Sequence, residues 1–158
     1  MDHILGRAGV LAAALLACLL SLPATAADRW VLHSDSSELK FGFRPSGANS
    51  FETLWFECDG DPKKISVSAA VGNRRPSSGR ASVTLSAGGR SAIISGEVGE
   101  FDFDGIYSIE AELPASHPVF ALLISGQPLS YAAPGWRRPK LAASGQKAST
   151  ERFLAACR

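Results

Sequence analysis

The chain has 158 residues, and 16 lysine and arginine residues against 15 aspartate and glutamate residues give a formal net charge of +1. This near-neutral balance argues against nucleic acid as the main partner, because such proteins carry a basic face. Hydrophobic residues make up 46% of the sequence, which is enough for the core of a single globular domain.

The N-terminal segment has the features of an export signal. Residues 8–22 are almost entirely apolar, and the Ala-Thr-Ala sequence at residues 24–26 is the small-x-small pattern that precedes signal cleavage. We therefore predict a signal peptide over residues 1–26 and a periplasmic or secreted domain over residues 27–158. The apolar run is shorter than the roughly 20 residues of a membrane-spanning helix, so no transmembrane segment is expected after cleavage. Lipid attachment at Cys18, in a Leu-Leu-Ala-Cys sequence, is the alternative.

Short segments of alternating apolar and polar residues, separated by turn residues, predict β-strands along the rest of the chain. In chain order they are residues 30–33, 39–43, 52–58, 65–71, 81–85, 92–96, 101–104, 107–113 and 128–133.

Three later segments differ from this alternation. Residues 119–124 have no polar face and predict a central strand buried on both sides. Residues 134–144, rich in Pro, Gly and Arg, predict a loop, and residues 149–156 predict a helix. The resulting fold class is mainly β: an antiparallel β-sandwich or small barrel with a short C-terminal helix.

Only Cys58 and Cys157 lie outside the predicted leader. An exported chain with two cysteines most often pairs them, because its compartment is oxidising. We therefore predict a disulfide between Cys58, at the end of a strand, and Cys157, after the C-terminal helix.

The sequence contains no phosphate-binding loop, nucleophile elbow or zinc-binding motif, and no cofactor or metal site is predicted. His33 and His117 are predicted to be loop residues that are solvated or hydrogen-bonded. A small secreted hydrolase, with one of these histidines beside an acid or a hydroxyl, is an alternative function. Residues 97–104 carry four acidic side chains and resemble the start of a calcium loop, but their alternation with Phe101 and Phe103 favours a strand with an acidic face.

A cluster of Trp136, Arg137, Arg138 and Lys140 is the candidate partner-binding site. Tryptophan and arginine are enriched at the centres of protein interfaces. The alternative is that Trp136 is buried against the sheet while the cations are solvated. With no catalytic motif, we predict an exported binding or accessory protein that acts through a protein surface, with a protein partner in the cell envelope or the host.

One stretch resembles a known family. Residues 55–60, Trp-Phe-Glu-Cys-Asp-Gly, followed by the alternating residues 63–67, resemble the first hairpin of the small periplasmic inhibitors of c-type lysozyme. The resemblance implies a disulfide from this strand to the C-terminus and, as an alternative function, lysozyme inhibition. The inhibitory Ser-Gly-x-x-Tyr segment of that family has no counterpart in this sequence, so the resemblance assigns no inhibitory residue.

Overall fold

The computed structural model describes residues 27–34, 38–58, 64–100, 105–134 and 136–157, without the side chains of Glu100 and residues 136–139. The predicted leader and the predicted strand at residues 101–104 lie outside this part of the chain. The elements of the described residues are β1 (Arg29–Ser34), β2 (Leu39–Arg44), β3 (Leu54–Cys58), β4 (Ile65–Gly72), β5 (Arg80–Ala87), β6 (Arg90–Glu100), β7 (Tyr107–Leu113), α1 (Pro118–Ile124), β8 (Leu129–Ala133), β9 (Trp136–Leu141) and α2 (Gln146–Ala156).

The strands form one antiparallel sheet of nine strands in the order β1-β2-β3-β4-β7-β6-β5-β8-β9. Neighbours along the chain pair as hairpins, except that β7 returns to pair with β4 and β8 pairs with β5. Strands β5, β6 and β7 therefore lie between β4 and β8 in the sheet. The predicted mainly-β class, with antiparallel pairing and a short C-terminal helix, is confirmed.

The sheet curls so that distant strands meet on its inner side. The hydroxyl of Tyr131 on β8 donates to the carbonyl of Ala70 on β4, at 2.6 Å, although three strands separate the two in the sheet. The sheet is nevertheless not a closed barrel, because β1 and β9 do not pair. The chain after β9 lies beside β1 instead, where the backbone N–H of Trp30 donates to the carbonyl of Ser144 at 2.8 Å.

Aromatic side chains on the inner face hold the two helices against the sheet. Phe153 of α2 lies 5.5 Å from Phe41 of β2, and Phe120 of α1 lies 5.3 Å from Phe56 of β3, measured between ring centroids. All four side chains are almost fully buried. Burial of aromatic rings of this size supplies much of the free energy that stabilises a core, so both helices belong to the fold.

The prediction of a central strand at residues 119–124 is wrong, because this segment is helix α1. Its start has the chemistry of a helix N-terminus: Pro118 occupies the first turn, and the His117 side chain accepts a hydrogen bond from the N–H of Val119. The segment is apolar on most sides because it packs between the sheet and α2. Ala121 is the exposed position, which is too small to mark a polar face in the sequence.

The predicted loop at residues 134–144 is also partly wrong, because residues 136–141 form the edge strand β9, paired with β8. Pro139 has no N–H to donate, which suits a strand with one unpaired edge. Helix α2 begins three residues before the predicted helix, at Gln146, after the left-handed Gly145.

The predicted disulfide is present. It joins Cys58, the last residue of β3, to Cys157, the residue that ends α2, with their Cα atoms 6.0 Å apart. Of the two helices in the described residues, α1 has 7 residues and α2 has 11, and neither is long and apolar enough to span a membrane.

Candidate functional site

The proposed partner-binding residues lie on edge strand β9. Trp136 pairs with Ala133 at the start of that strand, while Arg137 and Arg138 follow it along the β8 register. The side chains of these three residues lie outside the described part of the structure. Lys140 is exposed and, together with residues of the β5–β6 turn such as Arg90, lines a shallow hollow of about 450 Å³. Partner binding by this cluster stays a prediction.

A larger groove lies on the outer face of the sheet, and it was not predicted as a site. It has a volume of about 720 Å³ and extends over β3, β4, β7 and β6. We call it the acidic groove and define it by six side chains: Trp55, Glu57, Ser66, Ser68, Glu110 and Glu112.

The strand register explains why these side chains form a groove. Ser68 on β4 lies opposite Trp55 on β3 and opposite Glu110 on β7, and Ser66 lies between Glu57 and Glu112 in the next row. Short serine side chains therefore form the floor along β4, and long side chains form a wall on each neighbouring strand. The two walls are about 10 Å apart, because each strand spacing is about 4.8 Å.

The floor contains a nearly buried serine whose hydroxyl opens to the groove. Ser68 is only 8% exposed although it lies on the outer face. Its hydroxyl has no hydrogen-bond partner in the described part of the chain, although it lines the groove. The buried, unpartnered side-chain atoms of the described residues belong to Thr53 and Gln146, so the Ser68 hydroxyl is open to the groove and can donate to or accept from whatever occupies it.

The carboxylates of the groove are unequally compensated. Glu57 pairs with Lys40 and Glu112 pairs with Lys64, both at 3.1 Å, so each outer carboxylate has a cation at the rim. Glu110 has no ion pair or side-chain hydrogen bond within the described residues. It also lies directly opposite Glu97 on β6. Like charges placed opposite each other on neighbouring strands destabilise a sheet, and within the described residues the pair is offset only by the exposed Arg80, 3.5 Å from Glu97.

The tryptophan wall is held in place from two sides. The Nε1–H of Trp55 donates to Oε1 of Glu57 at 3.2 Å. On the other side Trp55 pairs with Gly42 of β2, where a Cβ atom would come too close to Trp55 and to the ring of Phe51. The absence of a side chain at Gly42 thus leaves room for the Cβ atom of Trp55 and the ring of Phe51 beside the β2 backbone.

Lys40 completes this wall on β2. Its ammonium group lies 2.9 Å from Glu38 and 3.1 Å from Glu57. Hydrogen bonds to Glu38 and Glu57, in that order, raise the pKa of Lys40 above its ordinary value of 10.5. Lys40 is therefore charged throughout the neutral range and compensates Glu57.

The histidines lie elsewhere. His33 pairs with Lys40 near the end of β1 and is exposed, whereas His117 caps α1, and burial lowers the pKa of its imidazole. Neither histidine lines the acidic groove, so the hydrolase alternative gains no supporting contact there. Within the described residues no group of three or more histidine, cysteine or acidic side chains is placed to hold a metal ion.

Sequence reasoning identified the strands of the groove but not the groove itself. The alternation at residues 107–113 places Glu110 and Glu112 on one face, and the alternation at 65–71 does the same for Ser66 and Ser68. What was missing was the pairing of β4 with β7, which are separated by the β5–β6 hairpin. The signal for the groove in the sequence was the presence of polar or aromatic residues at the outward positions of these strands, namely Trp55, Glu57, Ser66, Ser68, Glu110 and Glu112.

Comparison with known proteins finds no match at the level of family models, curated proteins or solved structures. Function is therefore inferred from the residues of this chain and their geometry, and the resemblance to lysozyme inhibitors stays a prediction.

Proposed function

We propose that this chain is an exported binding protein of the cell envelope that acts through a protein surface, and that the acidic groove is this surface. The single observation that supports it most is the unpartnered hydroxyl of Ser68, which opens to the floor of a groove between carboxylates and a tryptophan. A groove of this kind offers a partner an aromatic contact, hydrogen bonds and charge in one place.

Export agrees with two features of the chain. A disulfide between Cys58 and Cys157 suits an oxidising compartment, because cytosolic proteins rarely keep such a bond. The N-terminal residues carry the predicted cleavage pattern. The domain would act by stoichiometric association, with the rigid sheet presenting preformed side chains to its partner.

Photo-crosslinking from inside the groove tests this function. A photoreactive amino acid at Ser66, which is exposed on the groove floor, would be compared with the same amino acid at Ala148, which is exposed on α2 and lines neither the groove nor the hollow at Lys140. The oxidised domain is incubated with periplasmic and host-secretion extracts, and the crosslinked proteins are identified by mass spectrometry. We expect one dominant partner from Ser66 and none from Ala148, and equal labelling from both positions would contradict the proposal.

Lysozyme inhibition is a second candidate function. It is favoured by one observation: the hairpin of β3 and β4 carries the disulfide to the C-terminus, in the arrangement that the resemblance implied. Its test is direct, since the oxidised domain would slow peptidoglycan hydrolysis by a c-type lysozyme at stoichiometric concentration. Unchanged hydrolysis with the domain in excess would exclude this function and leave the binding proposal open to its own test.

A further inference from the structure

The chemistry of the acidic groove indicates the kind of partner segment it takes. We propose that the acidic groove binds an extended, arginine-bearing segment of a protein, with a guanidinium group placed between Trp55 and Glu110 above the Ser68 hydroxyl. This inference rests on the function proposed above and names the partner class of the same site.

The charge of the groove favours a cation. Four carboxylates line the groove when Glu97, opposite Glu110, is counted with Glu57 and Glu112. The cations of the chain that pair with them lie at the rim of the groove. The nearest cation to the Glu97–Glu110 pair is Arg80, 3.5 Å from Glu97, and both of these side chains are largely exposed. Such an exposed ion pair compensates charge weakly. The centre of the groove is therefore negative and is complementary to a cation supplied by a partner.

The lining of the groove favours a planar organic cation. The described residues provide no cluster suited to a metal ion, so an organic cation is the better match. A guanidinium group is planar, donates two parallel hydrogen bonds to a carboxylate and associates with the indole of tryptophan. Trp55 and Glu110 lie on opposite sides of Ser68 in one row, so a guanidinium above the floor reaches both walls. The Ser68 hydroxyl supplies a further acceptor.

The width of the groove favours an extended segment. The groove runs along β4 between β3 and β7, and its walls are about 10 Å apart. That distance separates the backbones of β3 and β7, and the wall side chains narrow the clear space further, so the groove suits one extended chain better than a helix, whose diameter with side chains is about 10–12 Å. A second cation on such a segment, two residues along, would reach the neighbouring row of Glu57 and Glu112, because alternate side chains of an extended chain point to the same side.

The test uses a fluorescently labelled peptide of alternating arginine and serine, followed by fluorescence anisotropy with the oxidised domain. Its matched control is the same peptide with citrulline in place of arginine, which keeps the shape and removes the charge. We expect saturable binding of the arginine peptide, weaker binding of a lysine counterpart and no binding of the citrulline peptide. Equal binding of the arginine and citrulline peptides would overturn the proposal.

Two charge-matched variants locate the binding. Glu110→Gln is expected to weaken binding about fivefold, whereas Glu151→Gln, which removes the same charge from the exposed face of α2, should change it less than about twofold. Equal weakening by both variants would show general attraction to a negative protein and would overturn the assignment to the groove. Thermal unfolding of both variants checks that the fold is retained.

A third variant separates this inference from the function on which it rests. Ser66→Leu fills the exposed part of the floor without changing charge and is expected to abolish binding of the arginine peptide. The arginine peptide could fail to bind while a neutral oligosaccharide such as chitohexaose binds the wild type but not Ser66→Leu. In that case the partner class is wrong, and the groove is still a binding surface. If neither probe binds and crosslinking from Ser66 finds no partner, the proposed function fails as well.

Discussion

Gly96 on β6 lies so close to Glu110 on β7 that a side chain at Gly96 would overlap the carbonyl oxygen of Glu110. The same approach brings Glu97 opposite Glu110, and so it sets one side of the acidic groove. A glycine in the sheet interior is normally unfavourable. Its presence here thus has a packing reason that also positions a residue of the candidate site.

The first prediction follows from this contact. Gly96→Ala is expected to lower the free energy of unfolding by about 2–3 kcal/mol, because the added methyl group forces β6 and β7 apart. Gly99→Ala is the matched control on the same strand, since a Cβ there would lie 3.9 Å from the nearest atom, Oε1 of Glu110. We expect a change of less than about 1 kcal/mol for Gly99→Ala in denaturant unfolding. Similar losses from both substitutions would show that the Gly96 contact is not the cause.

The disulfide gives the second prediction. Cys58 and Cys157 are 99 residues apart in sequence, and the chain-entropy model assigns about 4.7 kcal/mol to a closed loop of about 100 residues. The double variant Cys58→Ser, Cys157→Ser should therefore lose a few kcal/mol of stability, and it avoids leaving a free thiol. Guanidinium unfolding of the oxidised wild type, the reduced wild type and the double variant provides the comparison. An unchanged midpoint in the double variant would contradict a stabilising disulfide.

The organisation of the sheet was predictable in part, and the limits have physical causes. Alternation identified β4 and β7, because one face of each strand carries mainly apolar side chains and the other carries serine or glutamate. It could not show that they pair, because a two-residue period is the same for every partner. The predicted disulfide needed no such knowledge, since only two cysteines were available after the predicted leader.

Helix α1 shows where local patterns fail. Residues 119–124 form a short apolar run, and such a run has the same appearance in a buried strand and in a helix packed on two sides. The decisive signal was next to it: Pro118 preceded by His117, whose side chain caps the helix. Local patterns also fail at the candidate site. The proximity of Trp55 and Glu110 depends on the pairing of β4 with β7, which are far apart in the sequence.

A third prediction concerns the contact that closes the inner side of the sheet. The Tyr131 hydroxyl donates to the carbonyl of Ala70 at 2.6 Å and lies 3.2 Å from the carbonyl of Thr53. Tyr131→Phe removes this buried donor and should cost about 1–3 kcal/mol, because the carbonyl groups lose a partner that water does not readily replace.

Tyr107→Phe is the control for that substitution. The Tyr107 hydroxyl has no hydrogen-bond partner in the described part of the chain, and its side chain is half-buried. Its removal is expected to change stability by less than about 0.5 kcal/mol in urea unfolding. If Tyr131→Phe were equally mild, the hydroxyl of Tyr131 would not be what joins β8 to β4.

The last prediction is a pH dependence at the start of α1. Burial lowers the pKa of His117 below its ordinary value of 6.5, and its Nδ1 accepts from the N–H of Val119 at 3.3 Å. Below pH 6.5 the imidazole of His117 binds a proton more readily in the unfolded chain than in the folded one. The stability that this group contributes should therefore be fully present above pH 6.5, and it should be lost as the pH falls from there through the folded pKa. Asparagine also caps helices and does not titrate, so His117→Asn should reduce this dependence when urea midpoints are compared across pH. An identical pH profile in His117→Asn would assign the effect to other groups.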